Sequence, residues 1–516
     1  MSSEPMKNLA TKLATIQTQT LSSDKSKQIF EVNNLIGKAA TFYEKVRYLV
    51  DYKEEHTIRR NALERILKRK MVIEGRNVTG VSILQELASG QYIPEEVVTE
   101  ELGQKLNSIL LKFLRLEELS GETGVVAKRL LSFTASEIDY TLSHYHHVTD
   151  HAIIDTFYEM MRKNVSMSGV MERELDNALY CACHRALVRA DDEGLAYALW
   201  LKYVPEWHTI TDDGLADLAK QLKQTISAID ASVKNPLQWR LVQKLKNETI
   251  YFLIVRELVQ QYGPESSRIL ETPGEMEIFT QSLLEKKYKK ENERIRKSGI
   301  RAVIYLFFTK AIFALGLELP YEYLVLSTMN YVPILVNLLF PPILLFIATR
   351  GVGSFNKNNT KAVLTGMREM FYDGKIAKIK IKSHSTVIAF IFTLVYLVFA
   401  GAVFGAMVSV LHFFHFNVVS IAIFLFFLAL VSYFAFRIRY NAKRWKTTQK
   451  ENIITLITSL LTVPVIRTGR WLSQSFSSIN VFVIIMDFII ETPFKLLLDF
   501  SNQFITYLKE KTPEIY

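Results

Sequence analysis

Four of the chain's ten histidines fall within SHYHHVTDH, at His144, His146, His147 and His151. On a continuous helix, spacings of three and four bring His144, His147 and His151 to one face, with Asp155 a further turn along. Neutral imidazoles and a carboxylate in that array ligate divalent transition metals, so the expected metal set is His144, His147, His151 and Asp155. The competing reading is surface or capping histidines, with Thr149-Asp150 opening a new helix and breaking the shared face. No recognised motif requires a cofactor; a divalent metal is the one this pattern suggests.

Cys181, Cys183 and His184 form Cys-Ala-Cys-His. Sulfurs two residues apart point to different faces of a helix, and no second cysteine pair completes a zinc site, so these read as small buried side chains. GETGVVAK at 121–128 lacks the Gly-Lys-Ser/Thr ending of a phosphate loop, and GVGSFN at 351–356 lacks the third glycine of a dinucleotide fingerprint. Neither His-Glu-x-x-His nor Gly-x-Ser-x-Gly occurs. Nothing identifies a nucleophile with its base, which leaves no positive reason to expect an enzyme.

The segment TIRRNALERILKRK at 57–70 gathers Arg59, Arg60, Arg65, Lys68, Arg69 and Lys70 around Ile58, Ala62, Ile66 and Leu67. Such a helix suits anionic lipid or an acidic partner; a solvated face is the competing reading. Lys310 is ionisable inside an apolar stretch, with Glu318, Asn330 and Asn337 as its natural partners, unless its long side chain snorkels to an interface. Gly401 and Gly405, in GAVFG continued by Ala406, offer a small face for close helix packing.

The elements that must position these residues follow from composition and charge. The 516 residues are 49% hydrophobic with 21 Gly, 13 Pro and two Cys, which excludes disordered, collagen-like and disulfide-stapled classes. The net charge of +10 is divided unevenly: residues 1–285 hold 34 basic and 40 acidic side chains, a net of −6, and residues 286–516 hold 28 and 12, a net of +16. The positive part also holds the apolar runs, so its charge reads as flanking residues that orient membrane spans, and nucleic acid is not an expected partner.

A bilayer core of about 30 Å needs about 20 mostly apolar residues in a helix. Four stretches qualify, at 302–319, 323–349, 386–411 and 416–436, the second carrying Pro333, Pro341 and Pro342. Eight basic residues precede the first, from Lys286 to Arg301, and eight more lie in the loop 350–385; the turn at 412–417 has no Lys or Arg. This distribution predicts two hairpins with both termini cytoplasmic. The N-terminus lacks the apolar core of a cleavable signal. The Asn-x-Ser/Thr sequons at Asn77, Asn164, Asn247 and Asn358 would then face the cytoplasm and read as chance matches.

Residues 1–274 show apolar spacings of three and four, as in Leu106, Leu110, Phe113 and Leu116, and few strand signals, predicting an α-helical cytoplasmic domain with a break near 202–214. Helix starts are expected at Ser23/Asp24, Thr134, Thr149, Asp212 and Thr272. Breaks are expected at 75–80, 89–94, 120–124, 202–214 and 262–267. Residues 275–301 form a charged helical stalk. In the basic-then-amphipathic tail 437–516, residues 452–466 are too short and Pro-interrupted to span, and 479–500, with Asp487, Glu491, Lys495 and Asp499, suits an interfacial helix bent near Pro493. A helix packed on the soluble domain competes with that reading.

The expected fold is thus all-α: a helical domain, a stalk, four transmembrane helices in two hairpins, and an amphipathic tail. The expected function is a membrane-tethered interaction or scaffold module whose partners are the bilayer, anionic headgroups at the basic segments, and a protein or a second copy. The alternatives are an oligomeric channel or transporter built around Lys310 and the Pro-broken second span, and a membrane-bound metal enzyme using the His144–His151 cluster.

Overall fold

The computed structural model describes residues 4–21, 55–73, 75–313, 319–324, 331–350, 357–381, 386–445, 447 and 453–478. It is predominantly α-helical, with one pair of three-residue strands among the described residues. The chain divides into two compact units. Unit 1 joins Met1–Glu285 to Asn356–Ser383, and unit 2 joins Lys286–Phe355 to His384–Tyr516.

Unit 1 opens with α1 (Glu4–Leu21), α2 (Glu55–Ile73), α3 (Gly80–Ser89), α4 (Glu100–Ser120), α5 (Val125–Leu142) and α6 (His144–Arg162). Strand β1 (Val165–Met167) leads to α7 (Glu172–Leu187), α8 (Asp192–Tyr203), α9 (Asp212–Lys234), α10 (Leu237–Lys244), α11 (Lys246–Tyr262) and α12 (Ser266–Glu271). Short polar side chains start several of these helices. Thr79, Thr99, Asp191 and Thr211 accept hydrogen bonds from the amides of Ser82, Leu102, Gly194 and Gly214, satisfying donors that a first turn leaves open. Thr134 and Thr149 are not starts. Both lie inside helices, and the Thr134 hydroxyl donates to the Leu130 carbonyl oxygen one turn back, a helix-interior use of the same side chain. The chain breaks instead at Ser143, one residue before the histidine-rich run.

One core of unit 1 is built on Phe133, Trp200 and Trp207, all fully buried. Trp207 meets Phe113 at 4.7 Å and Trp200 at 5.1 Å, and Phe133 meets Trp200 at 5.1 Å, in tilted and edge-on geometries that aromatic quadrupoles favour. A second aromatic run, Phe157–Phe252–Phe371, has centroid separations of 4.6 and 5.3 Å. Its last member belongs to α16 (Lys357–Phe371), in the loop expected to be a plain basic connection. Val363, Met367, Met370 and Phe371 of α16 are buried. β2 (Ile379–Ile381) pairs in parallel with β1 in the register Val165↔Ile379, Ser166↔Lys380, Met167↔Ile381. The loop therefore returns to complete the core of unit 1.

The boundary at Glu285 falls within α13 (Pro273–Phe313). Unit 2 continues with α14 (Leu319–Leu324), α15 (Tyr331–Arg350), α17 (Thr386–Phe413), α18 (Val418–Lys443) and α19 (Ile453–Ser478). Of the four apolar stretches, two appear as helices long and apolar enough to cross a membrane, Phe390–Phe413 and Val418–Phe436. The second stretch appears as a shorter apolar helix, Pro333–Ile347, and 302–319 is interrupted by residues outside the described set. The tail differs from expectation at 452–466, where α19 runs unbroken through Pro464 and packs on α18, so that tertiary contact offsets the missing backbone donor. Residues 479–500, with their four charges, and the expected start at Ser23/Asp24 lie outside the described residues.

Candidate functional site

The polar residues of unit 1 concentrate where α5 ends and α6 begins. Asp139, in the last turn of α5, is almost wholly buried and accepts from Arg59 Nε of α2 at 2.5 Å. Arg59 Nη2 also donates to Ser143 Oγ at 2.6 Å, and His147 Nε2 lies 3.3 Å from Asp139 Oδ2. Burial pushes the Asp139 carboxyl up, but the His147 hydrogen bond and the Arg59 charge outweigh it and hold the carboxyl below its ordinary value. The Tyr140 ring stacks on His147 at 5.0 Å, meets the edge of His144 at 5.7 Å and approaches His208 at 6.4 Å. Burial and then the Asp155 charge push its phenol up to about 12.

On the other side of α5, Glu137 is buried and accepts from Trp207 Nε1 at 2.5 Å, while His208 Nδ1 stands 3.7 Å away. Burial raises the Glu137 carboxyl against the Trp207 donor and the Lys112 charge. One turn along α6, His151 Nδ1 pairs with Asp155 Oδ2 at 2.9 Å. The His184 ring of α7 lies 6.0 Å from His151 and 4.6 Å from Tyr180, buried, and its Nε2 has no hydrogen-bond partner among the described residues. Burial, then the neighbouring His151, pushes His184 down to about 3. Cys181 and Cys183 are buried thiols, as their spacing implies, and burial pushes Cys181 up to about 12, far from thiolate chemistry.

The expected metal set does not converge. The shared helix face of His144, His147 and His151 is real, but each ring has a different use: His144 against Tyr140, His147 on Asp139, His151 on Asp155. Among the described residues, no group of three or more His, Cys, Asp or Glu side chains could hold a metal ion. The carboxylate of that set, Asp155, is held by His151, while His147 is turned to Asp139, which Arg59 already engages. What the cluster does is tie α2, α5 and α6 together through one buried carboxylate. Asp139, Tyr140, Glu137 and His208 carry no motif of their own; the one sequence signal was the density of histidine beside them.

The basic residues of helix α2 are divided between the interior and the surface. Arg60 is 4% exposed, donates to Asp191 Oδ1 at 2.6 Å and also bonds Oδ2, a fork-on-carboxylate pair. Arg69 and Lys70 pair with Glu86, and Arg65 reaches the Tyr92 hydroxyl at 3.4 Å. Lys68 is exposed, on the rim of a cavity of about 430 Å³ lined also by Glu64, Met71, Val72, Phe113 and Leu131. Of the basic residues at 57–70, Arg59 and Arg60 point inward, whereas Arg65, Lys68 and Arg69 are exposed.

In unit 2, Asn337 is fully buried between α15 and α18, and its Nδ2 donates to the Ser420 carbonyl oxygen at 3.2 Å. That bond serves the pairing of α15 with α18. The Lys310 side chain, Glu318 and Asn330 lie outside the described residues. Gly401 and Gly405 are exposed, and a Cβ at either would meet nothing. Close approach occurs instead at Gly469 of α19, where a Cβ would overlap the Ala429 carbonyl oxygen of α18. Comparison of the chain with protein-family models, curated proteins and solved structures finds no match.

Proposed function

We propose that this chain is an integral membrane protein in which unit 1 is a water-facing interaction module held at the bilayer by apolar helices of unit 2. The observation that carries the reading is the exposure of α17, where only 11% of the apolar window in Phe390–Phe413 is buried. Phe390, Phe392, Leu397 and Val398 are 68%, 61%, 63% and 68% exposed. A core helix of a soluble domain buries such a face; left in water, it costs about 25 cal/mol per Å². Hydrocarbon removes that cost. The turn joining α17 to α18 carries no Lys or Arg, which suits the far side of a helical hairpin.

The membership of unit 1 supports a topology. Asn356–Ser383 belongs with Met1–Glu285, and a folded unit does not straddle a bilayer. The intervening residues 286–355 then cross an even number of times, and the α17–α18 hairpin returns the chain to the side it left. The excess of Lys and Arg beside the apolar stretches assigns that side to the cytoplasm. A four-span protein makes two crossings, at 302–319 and 323–349; a two-span protein makes none. The interaction role draws on Leu111, Val125 and Trp239, apolar residues of unit 1 that are 65%, 73% and 53% exposed.

Alkaline carbonate extraction tests the membrane part: the full chain stays with the membranes, and release into the supernatant sinks the reading. Single cysteines test the topology, because the native pair is buried and silent. Cysteines at Lys220 and Lys361 are expected to label from one side, and one at Phe414 from the other. A cysteine at Tyr321, between 302–319 and 323–349, labels with Phe414 in the four-span form and with Lys220 in the two-span form. Photo-crosslinkers at Leu111, Val125 and Trp239 are expected to trap a discrete protein adduct in native membranes; none at all three removes the interaction role.

A further inference from the structure

The returning segment is electrically unlike the unit it completes. Residues 1–285 carry a net −6, whereas 356–383 carry Lys357, Lys361, Arg368, Lys375, Lys378, Lys380 and Lys382 against Glu369 and Asp373, a net of +5. An acidic body would attract such a segment, but charge is not how it docks. Its contact face is Val363, Met367, Met370 and Phe371, closed by the strand pair. Among the described residues, the ion pair recorded between the segment and residues 1–285 is Arg368–Glu277 at 3.5 Å, and Lys375 turns to its own neighbour Asp373 at 3.9 Å. Lys357, Lys361, Lys378 and Lys380 are exposed. In β2 the alternation puts Ile379 and Ile381 inward and Lys380 outward, so backbone pairing to β1 fixes the side on which that lysine stands.

Covalent connectivity limits where this face can be. Five Cα–Cα steps separate Ile381 from Thr386, the first residue of α17, which is at most about 18 Å of extended chain. Arg350, the last residue of α15, precedes Lys357 by seven steps, at most about 25 Å. A bilayer's polar zone adds several ångströms to each side of its hydrocarbon core, so a lysine on β2 is tethered within reach of headgroups whenever α17 spans.

We propose that α16 and β2 form a rigid basic face by which unit 1 seats on the anionic headgroups of the bilayer that α17 enters. The inference rests on the reading of α17 as a span. Chain tether and charge select lipid over a protein or nucleic acid: the lysines are spread along a strand and a helix, held at a fixed distance from the hydrocarbon, and offer no shaped pocket. Each lysine close to an anionic surface is worth about a fivefold preference, roughly 1 kcal/mol, and several acting together hold the unit against diffusion away from the membrane.

The test uses the full chain in nanodiscs of pure phosphatidylcholine or of phosphatidylcholine with about 30 mol % phosphatidylserine, a strongly anionic surface. A water-soluble amine acylator is pulsed and the adducts at each lysine are read by mass spectrometry, with Lys220 of α9 as the exposed reference. Acylation of Lys378 and Lys380 relative to Lys220 is expected to fall several-fold on the anionic surface and to recover in about 0.5 M salt, where screening is short-ranged. Equal ratios on the two surfaces overturn the proposal, as does protection seen in native membranes but absent from anionic nanodiscs that hold this chain alone, which assigns the face to a protein. Lys378→Arg with Lys380→Arg is expected to retain binding preference for the anionic surface, and Lys378→Glu with Lys380→Glu to lose it at unchanged thermal stability. Failure of the chain to remain in carbonate-washed membranes defeats the span reading itself; incorporation with equal acylation defeats only this one.

Discussion

The Tyr372 hydroxyl donates to the Leu270 carbonyl oxygen at 2.8 Å, joining two residues 102 positions apart in the chain. Between them lie 271–285 and 356–371 of unit 1 and the whole of 286–355, so this bond belongs to the closure that makes unit 1 discontinuous. Beside it, Phe371 reaches Phe252 at 5.3 Å. Deleting the Phe371 ring is expected to open the returning segment, since burying and packing such a ring is worth about 3–5 kcal/mol, whereas losing the hydrogen bond alone costs about 1 kcal/mol. Hydrogen exchange over 357–381 should therefore rise steeply in Phe371→Ala and slightly in Tyr372→Phe. A truncated chain ending at Glu285 should behave like the first variant throughout α11, because it lacks the same side chains. Native-like protection of α11 in that truncation would show that the closure contributes nothing.

Arg60 and Lys68 look alike in the sequence and differ in the fold. Arg60 is buried on Asp191, whereas Lys68 is exposed. Removing one member of a fully buried ion pair costs about 3–5 kcal/mol, and less here because Asp191 is 37% exposed and stays partly solvated. Arg60→Ala should therefore lower the denaturation midpoint of unit 1 strongly, and Arg60→Lys should recover it only partly because an ammonium cannot fork onto a carboxylate. Lys68→Ala should leave the midpoint unchanged. A helix that served as a lipid-binding strip would show the opposite: equal losses of vesicle binding in both alanine variants, with no loss of stability.

His184 gives unit 1 an acid limb. An unfolded imidazole takes up its proton near 6.5, and the buried ring does so only at about 3. Between those values the unfolded state binds more protons, so stability is complete above pH 6.5 and falls as pH drops toward 3, with a limiting slope of about 1.4 kcal/mol per pH unit. The groups that face the ring are His151, Asp155 and Lys202, the first and last opposing its charge and Asp155 favouring it. The lowered Asp139 carboxyl adds a slope of the same sign at lower pH. His184→Phe is expected to flatten the limb between pH 6 and 4 in unfolding followed by the buried Trp200 and Trp207; an unchanged slope would show that the ring does not titrate on unfolding.

Much of the helical architecture is legible in the sequence because it depends on local spacing. The stripe Leu106, Leu110, Phe113 and Leu116 lies buried along α4 as its period implies, and the breaks at 75–80, 89–94, 120–124, 202–214 and 262–267 all separate elements. The candidate site was legible only in part. Periodicity brings His144, His147 and His151 to one face, but Tyr140 and Asp139, which meet His144 and His147, come from the preceding helix, and the pairing of Asp139 with Arg59 across 80 residues leaves no local trace. The docking of α16 was hidden for the same reason. Its amphipathic face reads equally well as a solvated loop helix until Phe252 is known to stand opposite.

The glycines show the same division and supply a last test. Gly401 and Gly405 form the recognisable pattern, yet both are exposed and neither is closely approached among the described residues. Gly469, without a motif, is where two helices meet: α19 packs on α18 so closely that a methyl group there would overlap the Ala429 carbonyl oxygen and crowd Tyr433. A backbone cannot give way as a flexible side chain can, so Gly469→Ala must push the helices apart, and overpacking of this kind costs about 1–3 kcal/mol. In detergent, Gly469→Ala should lower the melting temperature of unit 2, while Gly401→Ala and Gly405→Ala should be neutral or slightly stabilising, since alanine is the better helix former. If a second copy docks on α17, the order changes in membranes alone: Gly401→Ala and Gly405→Ala would then weaken self-association while leaving the detergent-solubilised monomer intact.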